Sequence, residues 1–210
     1  MAMTAAVLAA GAKHAIYRTE PHTPPIFLPP PTPPSTIAVA APKPPPPPNP
    51  DTAAYWGPRL WRIFHTLAEY SDRRDISALW LNVLRTTAQV IPCTKCRTHL
   101  MEYLRTHTMF RFTPLMPIKE IHTTIRNDLY NLHNTVNTRN RAPRFDATLL
   151  RETYGTKPRP ERMYEVQILY NELKNAWMPL LHTRIHPAAY SQWKQALELL
   201  MTLISSGPQK

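Results

Sequence analysis

The chain is short of cysteine and glycine: two Cys and four Gly in 210 residues. Two cysteines cannot form the disulfide framework that staples small secreted domains. No run of eighteen apolar residues occurs, which argues against a membrane-spanning helix. Strand-type alternation is missing too, which argues against a sheet-based fold. "AAVLAAGA" near the start lacks a basic flank, and the first twenty residues hold too little Arg for an organelle presequence, so no targeting signal is expected.

Proline, by contrast, is abundant. Fifteen of the 25 prolines fall within residues 1–50, in runs such as "PPIFLPPPTPP" and "KPPPPPNP". Proline fixes φ and removes a donor, so this arm is expected to be a disordered, largely polyproline II tether without a core. After Pro50 the chain carries 22 Lys and Arg against 13 Asp and Glu, most of the formal charge of +11. Such a surface suits nucleic acid, an acidic membrane, an acidic protein or an anionic cofactor.

From residue 51 onward apolar positions recur at helical spacing. Leu60, Trp61, Phe64, Leu67 and Ala68 form a first stripe, with Pro58 acceptable in a first turn. Ile76 to Val90 forms a second, and Cys93, Cys96, Leu100, Tyr103 and Leu104 a third. Ile121, Ile125, Leu129, Leu132 and Val136 form a fourth, beyond Pro114 and Pro117. The expectation is an all-α protein whose residues 51–145 make a four-helix bundle. Residues 144–160 read as a connector containing "TKPRPE". Stripes at Met163 to Trp177 and Trp193 to Ile204 predict additional C-terminal helices in a 146–210 extension. These could pack on the bundle, pair with a second subunit or stand apart.

Three small constellations carry chemistry. "IPCTKCRTHL" puts Cys93 and Cys96 at a helix start, close enough to bond, where free backbone N–H groups and the dipole favour a thiolate. Lys95 and Arg97 act in the same direction. Such a pair suits a dithiol that cycles with its disulfide by thiolate exchange. Zinc needs a fuller ligand set, and no second Cys pair exists; His99 and His107 fit no common finger spacing. Haem attachment would need His where Arg97 stands, and a thioredoxin-type site would need a βαβ context. "LHNTVN" clusters His133, Asn134 and Asn137 beside an apolar face, either as a ligand site or as solvated helix polars. In the first helix, Trp61 and His65 lie one turn apart and could face a flat ring or pack in a core.

In this order and spacing the three pieces resemble the ERV/ALR family of FAD-linked sulfhydryl oxidases. The family's Gly-x-x-x-Trp-x-x-x-His helix is matched by Gly57, Trp61 and His65, its Pro-Cys-x-x-Cys helix by Pro92, Cys93 and Cys96, and its His-Asn-x-x-Asn helix by His133, Asn134 and Asn137. The resemblance spans roughly residues 53–145. It implies an FAD-binding four-helix bundle that oxidises protein dithiols and passes electrons to O2, giving H2O2. Cys93 would meet the incoming thiolate, and Cys96 would pass electrons to the flavin. Trp61, His65, His133, Asn134 and Asn137 would line the FAD, with Tyr70 an aromatic neighbour. Arg139 and Arg141 fall near the family's basic residues for the adenine or diphosphate, which a guanidinium meets bidentately.

The chain also departs from that pattern. Pro58 stands where many members have Arg, with Arg59 one place on, and both the shuttle Cys pair and the stapling pair after the fourth helix are absent. A reduced protein dithiol or small CxxC carrier must then reach Cys93 directly. That economy resembles the short members of large DNA viruses, implying an intracellular site in host cytoplasm or virion, with the mitochondrial intermembrane space as the alternative. A homodimer is the family's expected state; a nucleic-acid partner and a bound metal are not expected. The rival reading is a basic helical module binding nucleic acid or protein, with a structural or metal-bound Cys pair. A degenerate fold that has lost FAD is a third.

Overall fold

The computed structural model describes residues 49–113 and 115–208, so the expectation of a disordered arm falls almost entirely on residues outside it. Among the described residues there are seven α-helices and no strand beyond an isolated bridge between Leu181 and Ile185. They are α1 (Ala53–Glu69), α2 (Ser77–Val90), α3 (Thr94–Thr106), α4 (Ile118–Arg139), α5 (Leu149–Tyr154), α6 (Arg159–Trp177) and α7 (Pro187–Ser205), with a 3₁₀ turn at Met178–Leu180. No helix among them is long and apolar enough to cross a membrane.

Prolines set most of the boundaries. Ile91, ahead of Pro92, adopts φ −53° and ψ 122° and so leaves the helical region after α2. Pro117 and Pro158 stand just before α4 and α6, and Pro187 opens α7, where its missing N–H is no loss. Pro58 differs from expectation. Because α1 begins at Ala53, Pro58 lies inside the helix rather than in its first turn, and it denies the Ala54 carbonyl an intrahelical donor.

Helix α1 packs against α4 and α6, and α2 packs against α3 and α7. Phe64 and Trp80 join the two halves, ring centroids 6.1 Å apart at 74°. Buried Trp80 donates from Nε1 to Ser71 Oγ at 2.9 Å, and that hydroxyl donates to the Leu67 carbonyl, so the polar atoms are paired.

Of the three possibilities for the C-terminal helices, packing on the bundle is observed. Val166, Tyr170, Leu173 and Trp177 of α6 and Trp193, Leu197, Leu200 and Ile204 of α7 are buried in the same core cluster as α1 and α2. Trp177 meets Trp56 edge to face, at 6.3 Å and 70°. Arg59 donates from Nε to Glu172 Oε2 at 2.6 Å and lies 3.7 Å over the Tyr55 ring, so it faces α6.

The stretch read as a connector contains the six-residue α5, too short to show a period. It crosses α1 closely. A Cβ on Gly155 would stand 2.9 Å from Glu69 Oε2 and 3.2 Å from the Arg151 carbonyl, so glycine permits the approach. Between α3 and α4, Met109 and Phe110 turn into the core, and Phe110 takes φ 55°. Its N–H donates to Asp128 Oδ2 at 2.6 Å, which holds that left-handed residue in place.

Trp177→Ala should cost about 3–5 kcal/mol, read as a lower denaturation midpoint. A chain ending at Pro158 should lose its cooperative unfolding transition, because the α1 and α2 faces under α6 and α7 are then bare.

Candidate active site around the cysteine pair

Pro92 ends the preceding chain run, and Cys93 caps α3 with extended backbone, its Sγ accepting the Cys96 N–H at 3.1 Å. The Cα atoms of Cys93 and Cys96 are 5.2 Å apart and the two sulfurs form a disulfide. Both cysteines are half-buried and pack against the core. Cys96 lines a cavity of about 410 Å³ bounded by α1, α3 and α4, and Cys93 does not. That volume falls in the range of small-molecule and cofactor sites.

Trp61 supplies one side of the cavity and stacks on His133 of α4, centroids 4.1 Å apart and planes 10° apart. His65, only 2% exposed, stands behind them, its Nε2 2.8 Å from His133 Nδ1. Burial, reinforced by the His133 and Arg126 fields, pushes His65 down to about 3. Burial alone brings His133 down to about 4. Two neutral imidazoles can share one proton in this contact, one donating and one accepting. Tyr154 of α5, itself in the cavity lining, stacks on His65 at 5.1 Å, and Phe145 lies 6.2 Å from His65, completing an aromatic cluster.

The remaining polar residues divide by position. Asn137 lines the cavity and donates from Nδ2 to the Pro143 carbonyl at 3.0 Å. Asn134 is buried away from it, clamping Phe145 by accepting its N–H at 2.8 Å and donating to its carbonyl at 3.3 Å. Arg139 lines the rim, 3.5 Å from Glu102, whereas Arg141 sits past the helix end, exposed with φ 55°. Tyr70 closes the far end of α1, its hydroxyl donating to the Lys157 carbonyl and its ring facing Arg159. Gly57, Trp61, Cys96, His133, Asn137 and Arg139 therefore share the cavity; His65 and Asn134 support it from behind, and Tyr70 and Arg141 lie apart.

Sequence reasoning missed several wall residues. Tyr103 belongs to the α3 apolar stripe and His99 fits no common metal-ligand spacing, yet both line the cavity. Tyr154 comes from a six-residue helix with no readable period, and Pro58 lines the cavity from within α1. Arg59, engaged with Glu172, is not in the wall. Among the described residues no group of three His, Cys, Asp or Glu is placed to hold a metal.

Aromatic faces, a half-buried sulfur and a cationic rim suit a flat, redox-active ring carrying phosphates. Gly57 adds to this fit: a Cβ there meets nothing within 4 Å, so glycine keeps the α1 side of the cavity open. Residues 58–155 match the model of the Erv1 / Alr family, a family of FAD-linked sulfhydryl oxidases. The matched segment runs from within α1 through α5, and α6 and α7 lie beyond it. No curated protein and no solved structure matches the chain.

Both imidazoles are neutral in the fold but take up protons in the unfolded chain below about pH 6.5. The unfolded state therefore binds more protons between about pH 6.5 and 4, and stability falls as pH drops through that window. Melting temperatures across that window should fall less steeply in His65→Gln than in the unaltered protein. Identical slopes would contradict the buried neutral pair.

Proposed function

We propose that the protein is an FAD-dependent sulfhydryl oxidase that turns protein dithiols into disulfides. The observation that carries this reading is the disulfide at the edge of the cavity, with Cys96 among the lining residues beside Trp61 and His133. A substrate thiolate attacks Cys93 Sγ, the Cys93–Cys96 bond breaks, and Cys96 leaves as a thiolate. A second substrate thiolate then attacks the substrate sulfur of the mixed disulfide, releasing oxidised substrate and the Cys93 thiolate. The open first turn of α3 stabilises that leaving thiolate through its N–H groups and dipole.

A bound FAD supplies the two-electron acceptor and the route to O2, with H2O2 as product. The chain's own residues bind and orient it. Trp61, Tyr103 and His133 offer ring faces, Asn137 offers polar contact, and Arg139 offers charge for phosphate. His65 fixes the His133 ring through their shared contact, and Phe145, outside the cavity lining, packs against both rings.

With no other cysteine in the chain, the partner is a reduced protein dithiol or a small CxxC carrier that meets Cys93 directly. A homodimer is part of this proposal. Because α6 and α7 cover α1 and α2, it would use other surface, and exposed Tyr164, Ile168 and Leu199 offer apolar area. The cysteine economy supports an intracellular role like that of short viral oxidases, with the mitochondrial intermembrane space as the alternative.

The test is the visible spectrum of purified protein supplied with FAD. Bound yellow flavin should bleach with dithiothreitol without oxygen and recover in air. Cys96→Ser should stay yellow and lose turnover, and His133→Ala should retain less flavin. Gly57→Phe should keep its melting temperature but lose flavin affinity by roughly tenfold or more, since it fills the open side. A protein that takes up no FAD sinks the proposal.

A further inference from the structure

The segment leading into Cys93 is tied to a turn of the C-terminal region. Arg97, one helical turn after Cys93, donates from Nη2 to the Ile91 carbonyl at 3.2 Å and to the Arg184 carbonyl at 3.1 Å. One guanidinium thus staples the segment entering Cys93 to the turn between the 3₁₀ segment and α7. That turn is compact. Arg184 and Ile185 both donate from backbone N to the Leu180 carbonyl, at 2.9 and 3.0 Å, and His182 donates to the Ile185 carbonyl at 3.0 Å.

The two segments joined there carry charge of one sign. Residues 76–101 contain Arg85, Lys95 and Arg97 and no Asp or Glu. Residues 173–197 contain Lys174, Arg184 and Lys194 and likewise no acid. Lys95 is exposed two residues from Cys93, and the Arg184 side chain is 54% exposed. Its ion pair with Asp51 is loose, 3.9 Å between two groups each about half-exposed, and so holds the guanidinium only weakly. Glu102 of α3 engages Arg139 at the cavity rim.

We infer that the Arg97-stapled turn and the start of α3 form a cationic docking surface beside Cys93, selecting dithiol substrates whose cysteines are flanked by acidic residues. The inference rests on the oxidase reading and adds to it the substrate class and the residues that choose it, Lys95 and Arg184. Complementary charge raises the encounter rate and penalises a basic partner, and it does so in a salt-dependent way. The reaction itself is unchanged: the docked thiolate attacks Cys93 Sγ and Cys96 leaves.

The test uses the full, FAD-loaded chain and three reductants: dithiothreitol, a Cys-Gly-Gly-Cys peptide flanked by glutamates, and the same peptide flanked by lysines. At low ionic strength the acidic peptide should exceed the basic one in kcat/KM by roughly tenfold, and the ratio should shrink toward one in about 0.5 M salt. Arg184→Glu should bring the low-salt ratio to one or below. Lys95→Glu is the second variant, read by the same ratio, should the first not fold. Dithiothreitol separates the two failures. Turnover of dithiothreitol with a peptide ratio near one, or a ratio unmoved by either substitution, overturns the docking surface alone. No dithiothreitol oxidation overturns the oxidase reading and the docking surface with it.

Discussion

The stack of Trp61 on His133, backed by the His65–His133 contact, is the interaction on which the site depends. It ties α1 to α4 at a spacing set by two flat rings, and it does so beside the cavity. Aliphatic side chains at these positions would interdigitate and close the gap between the helices. Stiff rings, held by a hydrogen bond and by Tyr154 and Phe145, leave a face against which another flat ring can lie. The imidazoles are neutral because they are buried, which makes them rigid polar supports rather than charges.

Helix α1 meets neighbours on several sides. It packs on α4, on α5 and on α6, and the cavity takes its remaining exposure near Gly57 and Trp61. The C-terminal helices are therefore structural to the bundle rather than an accessory: Trp177 and Trp193 belong to one continuous core with Trp56 and Trp80. The family match ends at residue 155, so this outer layer is a feature of the chain beyond the matched segment. Its turn at Leu181–Ile185 also returns to α3 through Arg97. One layer thus contributes both to stability and to the surroundings of Cys93.

The disulfide joins two environments. Cys96 shares a mostly apolar cavity with aromatic rings, where a leaving thiolate is poorly solvated unless an acceptor lies close. Cys93, also half-buried, caps the start of α3, two residues from the exposed Lys95. A three-residue spacing at the first turn of α3 is what brings the two sulfurs within bonding reach.

Local chemistry determined much of this protein from the sequence alone. Apolar periodicity marked six of the seven helices, because each is long enough to repeat its stripe, and prolines marked their ends. The bonded cysteine pair and the one-turn spacing of His133 and Asn137 were legible because spacing within a helix is itself local. Position across helices was not legible. His65 and Asn134 face behind the cavity, Tyr70 lies at the far end of α1, and Arg141 leaves the helix, because rotation about a helix axis is decided by what each face packs against. Tyr154, Tyr103 and His99 entered the site only through that packing. The place of α6 and α7 was likewise a tertiary decision: an apolar stripe states that a face must be buried and is silent on which partner buries it.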